Sequence, residues 1–181
     1  MKKITVLICI VMMFLFTACG DEEVLVKENP SENAGEITEL DCHVVSFECG
    51  YISYADILNG GNLLIFTKEE LQAAKQNDCL IVSEEWGANN AIAEAFQKLT
   101  EEYPIEEYAY LIEYRETSCG GYYFHADKVG VTEDRIGFLL DRDERPEPGQ
   151  MVTEAMGGFC HMAAIPKEQI EGKTFVNVVK P

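Results

Sequence analysis

After Pro104 the chain becomes a succession of short apolar or alternating segments: Tyr108–Arg115, Tyr122–Val129, Ile136–Asp141, Met151–Glu154, Phe159–Ile165 and Phe175–Val179. Gly120-Gly121, Val131-Thr132-Glu133-Asp134 and Glu144–Gly149 punctuate them with turn chemistry. Strands this close together favour antiparallel pairing, because a parallel connection needs a dozen or more residues. The first half reads differently. Val44, Val45 and Phe47 suit a strand over 40–48, and Asn59-Gly60-Gly61 marks a turn before the apolar strand Leu63–Phe66. Thr67-Lys-Glu-Glu70 is a capping box that predicts a helix to about Gln76 with Leu71 and Ala74 inward. Cys79–Ser83 reads as another buried strand. Asn89 or Asn90 caps a second helix with Ile92, Ala95, Phe96 and Leu99 on one face and Pro104 beyond its end. The expected class is α+β: a β-rich antiparallel sheet or partly closed barrel, with about two helices from the first half.

At 181 residues the chain holds one ordinary domain, and 47% apolar with 25% charged residues is a globular composition. The charge is more informative. Fourteen Lys and Arg against 32 Asp and Glu give a formal −18. A surface this acidic repels phosphate backbones and anionic headgroups, which argues against nucleic acid as a partner.

Residues 1–19 read as a targeting segment: Lys2 and Lys3, then 13 apolar-rich residues from Ile4 to Phe16. That run is shorter than the roughly 20 residues a spanning helix needs, and Asp21, Glu22 and Glu23 follow it closely. Phe16-Thr17-Ala18-Cys19 resembles the lipobox of bacterial lipoproteins. The resemblance implies cleavage before Cys19, a lipid on that cysteine, and an extracytoplasmic protein anchored to the cell membrane. Loss of Lys2 and Lys3 would leave 12 basic residues against 32 acidic ones, or −20. Residues 20–36 are charged and aperiodic, which predicts a flexible acidic tether spanning about 20–25 Å. The single folded domain then covers 37–181.

Five cysteines remain once Cys9 leaves with the segment and Cys19 takes lipid: Cys42, Cys49, Cys79, Cys119 and Cys160. Disulfides are permitted outside the cytoplasm, yet the odd number leaves at least one thiol unpaired or paired between chains. Seven extended steps would separate Cys42 from Cys49 by roughly 23 Å, far beyond disulfide reach. Cys119 with Cys160 is the leading candidate bridge across the sheet, and Cys79 with Cys42 or Cys49 is a second.

The stretch Tyr110–Tyr122, then Ala126–Val129, Pro146-Glu-Pro-Gly149, Met151–Ala155 and His161–Lys167 resembles the PrcB C-terminal domain family. The likeness covers about residues 105–168. It implies a small secreted or lipid-anchored β-rich domain, in a family named after an accessory protein that associates with and stabilises a surface protease complex. It brings no catalytic residues. The pattern departs from the family at Cys119, where Ser or Pro is common, and at Cys160, near a position often held by Pro. Gly120 and Gly121 read as a tight structural turn that a side chain would obstruct, and Pro148-Gly149 as another that blunts a strand edge.

Catalytic constellations are weak. Cys42-His43 and Cys160-His161 are strand neighbours, so their side chains point to opposite faces. Cys119, His125, Cys160 and His161 lack zinc-ligand spacing, and Arg145 and Pro146 spoil Asp141–Pro146 as a calcium loop. Glu101, Glu102, Glu106 and Glu107 read as a charged rim on the second helix, not as a glycosidase pair. No enzyme, cofactor or metal is expected. Six of eight tyrosines fall between Tyr103 and Tyr123, and tyrosine suits protein interfaces. Tyr108, Tyr110 and Tyr123 are the candidate partner-binding residues, with core burial of alternate members as the competing account. The expected function is a lipid-anchored accessory or binding module for a partner protein. The alternative is a small-ligand or glycan-binding lipoprotein.

Overall fold

The computed structural model describes residues 36–49, 62–77, 80–81, 90–117, 123–143 and 157–181, with the backbone alone for Glu116, Thr117, Tyr123, Arg142, Asp143 and Gly157. Its regular elements are β1 (Thr38–Leu40), β2 (His43–Glu48), β3 (Asn62–Ile65), α1 (Lys68–Ala74), α2 (Ala91–Glu102), β4 (Tyr108–Thr117), β5 (Tyr123–Val131), β6 (Ile136–Asp143), β7 (Gly157–Pro166) and β8 (Val178–Val179). The class is α+β, as the pattern predicts. The strands form two sheets, ordered β2-β7-β4-β3-β8 and β1-β5-β6, which do not close into a barrel. All pairings are antiparallel except β3 with β8.

Strand period explains the layering. Along β4 and β7, Tyr110, Ile112, Tyr114, Cys160, Met162 and Ala164 face one way and join Ile92, Phe96 and Leu99 of α2 in one core. Ala109, Leu111, Ala163 and Ile165 face the other way, against Val129, Ile136, Phe138 and Leu140 of the three-stranded sheet. The order is therefore helices, large sheet, small sheet. Strands buried on both faces carry near-continuous apolar runs, which is what 108–112 and 159–165 show.

The helices start as their sequences direct. Thr67 accepts the Glu70 N–H at 3.1 Å, while the Glu70 carboxylate accepts the N–H groups of Thr67 and Phe66 at 3.0 and 2.8 Å. Asn90 occupies the N-cap of α2 with a helical backbone (φ −76°, ψ −9°) in place of the extended one a side-chain cap uses. Leu80 and Ile81, the described part of the strand expected over 79–83, form a turn instead, with Leu80 N–H on the Asn77 carbonyl at 2.9 Å. Met151–Glu154, Gly120, Gly121, Pro148 and Gly149 lie outside the described residues.

Side chains tie the two sheets at opposite margins. Asn177 accepts the Ile136 N–H at 3.1 Å, and the amides of Asn62 and Asn177 both donate to the Ile136 carbonyl, at 3.0 and 2.7 Å. At the other margin the Ser46 hydroxyl accepts the Ala126 N–H at 3.2 Å. Gly130 sits under a close crossing: a Cβ there would approach Ile37 Cγ2 to 2.8 Å and Leu139 Cδ2 to 2.9 Å.

Leu111, wholly buried between the sheets, should lose about 2–5 kcal/mol of stability on change to Ala. Val176→Ala, at a side chain 69% exposed, should change stability by less than about 0.5 kcal/mol. Urea unfolding midpoints compare the two; equal shifts would refute the layered core.

Candidate functional site

Helix α2 ends where Pro104 cannot continue it. Tyr103 takes the C-cap with extended dihedrals (φ −119°, ψ 98°), its N–H on the Leu99 carbonyl. The Pro104 carbonyl then accepts the N–H groups of Glu107 and Tyr108 at 3.0 Å each, turning the chain directly into β4. This turn brings three aromatic rings together. Tyr103 and Tyr108 meet edge to face, with centroids 5.1 Å apart and planes at 75°. His43, first residue of β2, stacks on Tyr103 at 5.0 Å and 20°. His43 is exposed, and both tyrosines are half-buried. The three rings form a step on the surface.

Tyr110 supports this step from beneath. It is 0% exposed, packs edge to face on Phe96 at 6.1 Å, and donates its hydroxyl to the Tyr103 carbonyl at 2.5 Å. Tyr110 is therefore corrected from a partner-contacting residue to a positioning one, because its even place in β4 turns it into the helix-side core. Tyr108 stays accessible because it lies at the strand's first position. The side chain of Tyr123 lies outside the described set. His43 and Tyr103 are not among the partner-binding residues expected from the sequence, although Tyr103 belongs to the tyrosine-rich stretch. A tyrosine directly before a helix-terminating proline is a readable signal, whereas the His43 stack depends on a strand distant in the chain.

The surroundings of the step are negative. The last turn of α2 holds Glu101 and Glu102 and no basic residue. Partial burial, then the Glu102 carboxylate near its hydroxyl, raise Tyr103 above its ordinary pKa. Tyr110 is pushed up to about 12, chiefly by burial and further by Glu106. Glu106 itself is lowered by its hydrogen bond to Lys68, 2.6 Å away, in an exposed pair of little energetic worth.

A second polar constellation lies between the sheets. Ser46, His161 and Glu113 occupy facing positions on β2, β7 and β4. Ser46 Oγ is 2.8 Å from His161 Nδ1, but His161 is 0% exposed, and its Nε2 has no hydrogen-bond partner among the described residues. Glu113 is held by Arg115, Nη2 to Oε1 2.8 Å, and the Arg115 guanidinium lies 5.4 Å from the Phe124 ring centroid. A hydroxyl beside an imidazole suggests acyl chemistry, yet this imidazole is closed off from solvent and not oriented by a carboxylate. Its evident work is to hold β2 against β5 through Ser46.

The Cys42 and Cys49 thiols are poor nucleophiles. Burial, then Glu48, pushes Cys49 up to about 12; burial, with Asp41 adding to it and a hydrogen bond from the Val129 backbone opposing, pushes Cys42 up to about 11. Cys42 and Cys49 flank β2 and are not bridged to each other. Cys160 is buried on the helix side of β7 and His161 on the opposite side, as strand alternation requires. Cys19, Cys79 and Cys119 lie outside the described residues, and the expected Cys119–Cys160 bridge with them. Among the described residues no cluster of three or more His, Cys, Asp or Glu is placed to hold a metal ion.

Compared with protein-family models, curated proteins and solved structures, the chain matches none.

Burial, then Arg115 and His125, lowers His161 from 6.5 to about 4. Above pH 6.5 the imidazole is neutral whether folded or unfolded. Between 6.5 and 4 only the unfolded chain takes the proton, so stability falls as pH falls, and the contribution levels off below 4. The loss should reach roughly 3 kcal/mol. Urea unfolding at pH 7 and pH 4 should give a smaller difference for His161→Gln than for the natural chain; identical slopes would refute the assignment.

Proposed function

We propose that this protein is a lipid-anchored extracytoplasmic accessory module that holds or stabilises a partner protein at the cell surface. The observation that carries the reading is the aromatic step of His43, Tyr103 and Tyr108, in which an exposed imidazole and two half-buried tyrosines packed on the helix-side core present ring surface together. Aromatic residues with a polar tip supply contact area at little cost in side-chain entropy, and they dominate binding faces for that reason. Among the described residues, His161 is enclosed between the sheets and the Cys42 and Cys49 thiols are held protonated. Phe16-Thr17-Ala18-Cys19 supports anchoring through lipid on Cys19. The PrcB-like pattern over about 105–168 supports a protease complex as the specific kind of partner.

The ring surface that His43, Tyr103 and Tyr108 leave outside their mutual contacts also favours a second reading, a small-ligand or glycan-binding lipoprotein, because sugar rings pack on aromatic faces. The two readings separate cleanly: a module stabilised against heat by sugars, and capturing no protein, would be the second.

Palmitate labelling of the expressed full chain should be abolished by Cys19→Ala, and persistent labelling would overturn the anchor. Partner capture from crosslinked membranes should fall about tenfold or more in the Tyr103→Ala/Tyr108→Ala double variant. Undiminished capture by a folded double variant would remove the step from the binding face.

A further inference from the structure

We infer that the aromatic step receives a lysine or arginine side chain from a basic segment of the partner, an inference that rests on the step being the docking face. Three features of the structure converge on a cation. Tyr103 and Tyr108 meet with planes at 75° and His43 stacks on Tyr103, and the negative faces of aromatic rings, where they remain uncovered, attract ammonium and guanidinium groups. Glu101, Glu102, Glu106 and Glu107 lie within four residues of Tyr103 in the chain and are all exposed; Glu102 acts directly on the Tyr103 hydroxyl, and Glu106 is shared with Lys68. The step also stands at the C-terminus of α2, where unpaired carbonyls carry partial negative charge and cations are favoured.

Among the described residues Lys98 stands exposed one turn before Tyr103 on α2, and Lys68 and Lys167 are engaged away from its rings. Lys68 and Lys167 are the two whose charge acts on Glu106. Lys68 is paired with Glu106 at 2.6 Å, and the Lys167 ammonium lies 4.8 Å from the Phe66 ring centroid. The last turn of α2, where a lysine or arginine would ordinarily stabilise the helix, holds none. An acidic segment would be repelled here. A neutral sugar would gain stacking from the rings and nothing from the carboxylates, so charge complementarity selects the basic occupant.

The test uses the detergent-solubilised full chain and two fluorescein-labelled decapeptides, one alternating Lys and Ser, the other Glu and Ser, followed by anisotropy at low salt. The basic peptide should bind and the acidic one should not. Tyr103→Leu and the Glu102→Gln/Glu106→Gln pair should each weaken binding about tenfold, while Tyr103→Phe, which keeps the ring, should retain it. Glu36→Gln/Glu133→Gln makes the same charge change on the small-sheet side of the molecule and should stay within about twofold of the natural chain. Equal loss in that control pair would mean diffuse attraction and overturn the proposal, as would binding of both peptides alike. If the basic peptide does not bind while membrane capture still depends on Tyr103 and Tyr108, the cationic occupant falls and the docking face stands. If neither depends on them, both fall.

Discussion

Ten consecutive residue pairs join β4 to β7, and along most of that ladder neither strand leaves a face to water. A two-sided sheet centre of this kind demands cover on both sides. Helix α2 provides it on one through Ile92, Phe96 and Leu99, and the β5–β6 hairpin on the other through Val129, Ile136, Phe138 and Leu140. The remaining pieces answer to the same constraint. β2 and β3 flank the ladder, α1 closes over Leu63 and Ile65, and β1 extends the small sheet with Leu40 directed into the core between the sheets.

That arrangement explains which parts of the fold were legible in the sequence. Local rules were enough for the capping box at Thr67, the inward face of α2, and the existence of β4, β5, β6 and β7. They could not show that β7 pairs with β4 and not with its chain neighbour β6, because pairing is decided by which apolar faces must be covered, at separations no short pattern encodes. The same ignorance misplaced Tyr110. Its type and position fitted an interface equally well until the second covering layer put its ring against Phe96. Leu80 illustrates the other limit: an apolar run of strand length is ambiguous, and of its described residues Leu80 is buried from a turn and Ile81 is exposed.

Between the sheets the physics is less forgiving. Two apolar faces can slide over one another at small cost, whereas a hydrogen bond to a buried backbone group fixes a register. Asn62 and Asn177 fasten Ile136 at one margin, and Ser46 fastens Ala126 at the other. His161 lies directly behind Ser46, and its Nε2, without a partner among the described residues, is a desolvation cost that accompanies the bond to that hydroxyl. A serine, a histidine and a glutamate in facing positions would, in a cleft, invite a catalytic reading. With His161 closed within the sandwich, it and Ser46 act as a fastening, so the site must be judged by access as well as by type.

The aromatic step is bound to this interior by the packing of Tyr103 and Tyr108 on the helix-side core and by the buried Tyr110 beneath them. Tyr110 belongs to the core by its ring and to the surface by its hydroxyl, which holds the Tyr103 carbonyl where α2 ends. The position of the exposed rings is thus fixed by packing that also fixes the sheet, and it does not depend on a loop to find its place. The same anchoring lets α2 tolerate Glu101 and Glu102 in a last turn where anions are disfavoured by about 0.3–1 kcal/mol each. Burial of Phe96 and Leu99 outweighs that cost several times over. A helix held by its core-facing side chains does not need its terminal charges to be favourable, and those charges are left available to act on whatever approaches the step.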